Sequence, residues 1–183
     1  MKPADQKMLV RMARLPPELL REPFREQQGA ICYREGDDGR PEVLLVTSRD
    51  TGRWVIPKGW PMKGKKAHRA AEIEAREEAG VRGKASKKPV GNYTYLKGMP
   101  DGSHVPCVVR VHLLRVRDLE ERFRETGQRC RDWVSFDEAS RRVREPELKT
   151  LLVNLPALLA MSDKPAKTSG PDRETGDNVA RRT

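Results

Sequence analysis

Glu74, Glu77 and Glu78 stand at i, i+3 and i+4 within Ala67 to Ala79, a run of helix formers without Gly or Pro. On an α-helix these positions share one face, so three carboxylates converge. Like charges at that spacing cost about 0.2–0.5 kcal/mol per pair. Two of the three occupy the last turn before Gly80, where the negative end of the helix dipole disfavours each acid by roughly 0.3–1 kcal/mol. Several local rules broken in one place mark a functional site. A divalent cation removes the conflict: magnesium takes hard oxygen ligands and keeps several waters for substrate phosphates. The competing reading is a solvated acidic face balanced by Arg69, Arg76 and Lys66.

The flanking elements must hold that helix in place. Gly80 sits where a helix C-cap glycine belongs. Upstream, Lys58 to Lys66 contains Gly59, Pro61 and Gly64 and reads as a loop. Before it come a strand at Trp54-Val55-Ile56 ended by Pro57, a buried strand over Val43 to Thr47, and a short one over Ala30 to Tyr33. Downstream, strands are expected around Val90–Leu96 and Val105–Val116, joined by a Gly-Met-Pro-Asp-Gly turn. A short strand at Asp132–Phe136 leads to Asp137 as N-cap of a helix through Val143. Pro146 opens one last helix, with Leu148, Leu151, Leu152, Leu155 and Leu158 on one face. Strands and helices in this irregular order predict a mixed sheet covered on both faces.

With 183 residues, the chain suits one domain with flexible ends. We expect an N-terminal extension over 1–24, a domain over 25–162 and a disordered tail over 163–183, where almost nothing apolar remains. Residues 1–15 faintly resemble a transit peptide but lack its serines, and they run into Pro16-Pro17. No apolar run approaches 18 residues, which excludes a helical membrane span. The net charge of +10 makes polyanions the natural partners: nucleotides, inositol phosphates or RNA. Cys32, Cys107 and Cys130 lack CxxC spacing and fall in or beside apolar stretches, which predicts buried free thiols in a reducing, cytoplasmic compartment. His68, His104 and His112 show no metal-ligand spacing.

The stretch Gly59 to Val81, GWPMKGKKAHRAAEIEAREEAGV, resembles the Nudix box, anchored by Glu77-Glu78-Ala79-Gly80-Val81 with Glu74 before it and Gly59 opening it. The likeness extends to Val43-Leu44-Leu45-Val46, to Arg53 through Gly59, and to Asp132-Trp133-Val134, covering about residues 25–160. It implies a Nudix-type α/β/α sandwich with a mixed central sheet. Within the family it is most similar to the branch that hydrolyses diphosphoinositol polyphosphates and diadenosine polyphosphates.

What the resemblance implies is a pyrophosphohydrolase using Mg2+, with Mn2+ as the alternative ion. Glu74 and Glu78 would be the main ligands, with a backbone carbonyl at Lys58 or Gly59, and Glu77 would orient or deprotonate the attacking water. Candidates to hold a small phosphate-rich substrate are Ser48, Arg49, Arg53, Lys58, Lys63 and Arg129 or Arg131. There are two departures: the first box glutamate falls at Lys65 and the box arginine at Ile73. That arginine braces the metal-binding glutamates, so its loss threatens their alignment; Arg69 and Arg76 are the candidates to replace it. The alternative function is a module weakened by loss of the box arginine that binds polyphosphates or RNA 5′ ends, the basic charge being the only support for RNA. Tyr93, Tyr95 and Trp60 are the candidates for base stacking, though Tyr93 and Tyr95 stand at strand spacing and would then line one face of the sheet.

Overall fold

The computed structural model describes residues 24–162. The expected extension, all but Phe24, and the expected tail lie outside the described residues. Eight strands form one mixed sheet: β1 (Arg25–Glu35), β2 (Pro41–Thr47), β3 (Trp54–Val55), β4 (Lys58–Gly59), β5 (Val81–Ala85), β6 (Gly91–Gly98), β7 (His104–Leu119) and β8 (Arg131–Ser135). The main path runs β3-β2-β1-β7-β5, with β4 on β1, β6 on β7 and β8 on β2. β1 and β7 are parallel at the centre, with Gln28 opposite Arg110, and the other pairs are antiparallel.

Side chains alternate across a strand, and here each strand feeds two cores. Ala30, Cys32, Leu44 and Val46 face α1 (Ala67–Ala79), meeting Ala71, Ala75 and Ala79. Ile31, Val43 and Leu45 face the other way, towards α2 (Phe136–Arg142), α3 (Pro146–Val153) and α4 (Leu155–Ser162) through Ala139, Leu148, Leu152 and Leu155. Each fully buried Val, Leu or Ile contributes about 1.5–3 kcal/mol relative to exposure. The result is the expected α/β/α sandwich. The alanine stripe of α1 lets the helix lie close against β1 and β4. No helix among the described residues is long and apolar enough to cross a membrane.

Several expectations need correction. β1 starts five residues earlier than the Ala30 to Tyr33 core of the prediction, because its polar start pairs with β7 and β4. Gln27 and Gln28 are buried there, Gln27 accepting from Tyr95 Oη at 2.7 Å. Lys58 and Gly59 form β4 rather than loop. β5 had no sequence signal. Ser135, not Asp137, caps α2, its Oγ accepting from Glu138 N at 3.2 Å. The last helix is two, broken at Asn154, because Pro156 has no N–H to continue the ladder. Cys32 and Cys107 are buried free thiols, but Cys130 is exposed.

Candidate active site

α1 ends at Gly80, whose φ of 67° is left-handed and whose N–H bonds the carbonyls of Ala75 and Arg76. A Cβ at Gly80 would sit 2.6 Å from the Glu120 carbonyl, so the loop of residues 120–130 fits tightly against this end of the helix. Arg131 Nη1 donates to the Ala79 carbonyl at 2.8 Å and to that of Glu120 at 3.2 Å, supplying positive charge where the helix dipole is negative.

The three glutamates are held differently. Glu78 is 6 % exposed; its Oε2 accepts from the Lys58 backbone N–H at 2.9 Å and its Oε1 from Arg129 Nη2 at 2.5 Å. Burial pushes its pKa up, against the pull of Lys58 and Arg129. Glu77 is half-buried and accepts from Arg124 Nη1 at 2.6 Å. The Glu74 carboxylate lies against the backbone of Gly59, where an added Cβ would meet its atoms at 2.0–2.2 Å. Burial, then the negative charges of Glu78 and Glu77, push the pKa of Glu74 up to about 7. A carboxylate so placed calls for a positive partner.

A fourth carboxylate had no signal in the sequence. Glu125 in the 120–130 loop receives Arg129 Nε at 2.5 Å, pairs with Arg49 at 3.3 Å, and donates its backbone N–H to the Glu77 carbonyl at 3.1 Å. Among the described residues no three His, Cys, Asp or Glu side chains form a metal cage. Two carboxylates beside the backbone of a short strand suit magnesium, which completes its shell with water and substrate oxygens, better than zinc, which closes its shell with protein side chains.

Beside this cluster opens a cavity of about 880 Å³. Arg25, Arg49, Arg53, Lys58, Lys97 and Arg144 line it against one acid, Asp50. Trp60, Leu96, Met99 and Pro100 give it an apolar wall, with Trp60 37 % and Leu96 39 % exposed. Burial lowers the pKa of Lys58, whose Nζ lies 5.4 Å from the Tyr95 ring centre. Tyr93 is buried in the core and Tyr95 packs against it while lining the cavity.

The expected substrate contacts divide. Ser48, Arg49, Arg53 and Lys58 line the cavity. Arg53 also forms a buried ion pair with Glu145. Lys63 is exposed and does not line it. Arg129 does not line the cavity: its side chain is 5 % exposed and its nitrogens are engaged by Glu78, Glu125 and the Thr47 carbonyl. Arg131 is likewise turned onto the end of α1. The expected braces are corrected too, since Arg69 pairs with Glu72 and Arg76 with Glu120.

A mixed sheet between helical layers, with a glutamate-bearing helix set against the glycine of a short strand, defines an α/β sandwich built around one acidic helix. The NUDIX domain model matches residues 25–155, and the chain belongs to that family. It is 30 % identical over 115 residues to the mitochondrial Nudix hydrolase 16 of Arabidopsis thaliana, the match covering 61 % of this chain and 63 % of the relative. It is 29 % identical over 121 residues to diphosphoinositol polyphosphate phosphohydrolase 3-beta of Bos taurus, covering 64 % of this chain and 68 % of the relative. The chain thus spans about two thirds of the length of these curated relatives. The fold is similar to that of a C. elegans Ap4A hydrolase binary complex, with a TM-score of 0.56 and 23 % identity over 75 % of this chain and 98 % of that one.

Proposed function

We propose that this protein hydrolyses a phosphoanhydride bond in a small polyphosphate, of the diphosphoinositol polyphosphate or dinucleoside polyphosphate kind. The observation that carries this reading is a cavity lined by six cations and one acid, joined to the acidic face of α1 through Lys58, whose backbone N–H bonds Glu78. Relatives named for diphosphoinositol polyphosphates support it.

Glu74, Glu78 and a backbone carbonyl at Lys58 or Gly59 would hold Mg2+, or Mn2+ in its place. When bound, the ion supplies charge neutralisation at the phosphates and a lowered pKa for the attacking water. Glu77, half-buried and bonded by Arg124, would orient or deprotonate that water. Arg49, Arg53 and Lys58 would fix the remaining phosphates as preorganised charges, so that little reorganisation accompanies bond cleavage. Of the two substrate kinds, the wall of Trp60, Leu96 and Met99 favours one carrying a nucleobase. A purine can stack there, whereas an inositol ring presents phosphates on every side.

The test is phosphate release from diphosphoinositol polyphosphates, dinucleoside polyphosphates, nucleotide sugars and triphosphate-ended RNA, with and without magnesium. Expected is magnesium-dependent release from one of the first two groups, lost at least about a hundredfold in Glu78→Gln. Binding without any metal-dependent release would establish the module reading instead.

A further inference from the structure

We infer that Arg129 takes the place of the arginine missing at position 73, as a positioning residue that fixes Glu78. The inference rests on Glu78 being a metal ligand. α1 offers no replacement of its own: Ile73 is partly buried and belongs to neither apolar cluster, Arg69 is paired with Glu72, and Arg76 with Glu120.

Arg129 reaches Glu78 from the loop before β8 and is anchored at both of its other sides. Nη1 donates to the Thr47 carbonyl at the end of β2, 2.8 Å away, and Nε to Glu125 at 2.5 Å. The neighbouring Cys130 N–H bonds Thr47 Oγ1 at 2.9 Å, pinning the loop at the same point. A guanidinium held through Nε and Nη1 by two partners presents Nη2 in one direction, unlike a lysine on its flexible stem. Glu78 is therefore gripped at both oxygens, by Arg129 and by the Lys58 N–H. A carboxylate has about four acceptor positions, so each oxygen keeps one for a cation. The pairing also offsets the desolvation of an ionised, buried carboxylate. An arginine meant for substrate would turn a nitrogen into the cavity, and Arg129 is not among its lining.

The experiment uses the full chain and reads Mn2+ binding from the electron paramagnetic resonance of the free ion, melting temperature, and steady-state kinetics. Arg129→Gln should weaken Mn2+ binding about tenfold or more and lower kcat with KM little changed. Adding Ile73→Arg should recover at least about a third of that affinity, whereas Ile73→Arg in the wild-type background should add little. Arg129→Lys, which keeps the charge but cannot hold three partners, should fall between and serves if the glutamine variant does not fold. Unchanged Mn2+ affinity in either folded variant, or a rise in KM with kcat unchanged, overturns the assignment. So does an equal effect of Ile73→Arg in both backgrounds. Failure of the wild type to bind Mn2+ would instead sink the ligand role of Glu78 itself.

Discussion

At Gly59 the requirement is space rather than backbone angle, since its φ is not positive. Any side chain there would occupy the position of the Glu74 carboxylate. That carboxylate ends a flexible side chain, so Gly59→Ala should leave the fold intact and swing Glu74 out of the site. We expect metal affinity to fall roughly tenfold to a hundredfold with the melting temperature nearly unchanged. A normal metal titration in the alanine variant would remove Glu74 from the ligand set. Glu74 also makes stability depend on pH. Its folded pKa of about 7 lies above the ordinary 4.5, so between these values the folded state holds a proton that the unfolded state has lost. The contribution of Glu74 to stability is then greatest below about 4.5 and declines as pH rises towards 7. Thermal melts without metal should show this contribution as a fall in melting temperature across that window, and saturating magnesium should shrink it. A flat profile would mean that Glu74 is better solvated than its burial implies.

Among the elements, the junction of α1 with the 120–130 loop is the most tightly specified. Gly80→Ala would meet both a left-handed backbone and the Glu120 carbonyl. A loss of about 2–4 kcal/mol is expected from equilibrium denaturation, whereas Glu120→Ala, which breaks only exposed pairs with Arg76 and Arg82, should cost far less. This contrast also explains what could be read from the sequence. α1 and its glutamates were legible because helical spacing and a C-cap glycine are local. β5 was not, since Val81-Arg82-Gly83-Lys84-Ala85 has one buried side chain and owes its form to pairing with β7. Arg129 and Glu125 were invisible for a related reason. Glu125 lies 48 positions beyond Glu77 and Arg129 51 beyond Glu78, in a loop without periodicity. The break between α3 and α4 was legible in Pro156, but the regular leucines outweighed it.

Within the molecule as a whole, the cavity gathers six cations against one acid. Six cations against Asp50 should draw a polyanion in by long-range attraction that added salt screens. Raising sodium chloride from about 0.05 to 0.4 M should therefore lower kcat/KM, chiefly through KM. Arg25→Ala combined with Lys97→Ala should flatten that dependence while leaving kcat nearly as it was. A salt response identical to that of the wild type would assign the attraction to charges elsewhere on the surface.

The parallel pairing of β1 with β7 carries a consequence for the making of the protein. Gln28 and its partner Arg110 are 82 positions apart, and β4, which lies on β1, carries Gly59. At about 5–20 residues per second, a ribosome needs roughly 4–16 seconds to travel from one centre strand to the other. During that interval Ile31 has no β7 beside it, and Ile31, Val43 and Leu45 have no α3 above them. The nascent chain must therefore carry an uncovered apolar sheet surface past the point where its glutamate helix has been made. The acidic helix emerges early, and its platform closes late.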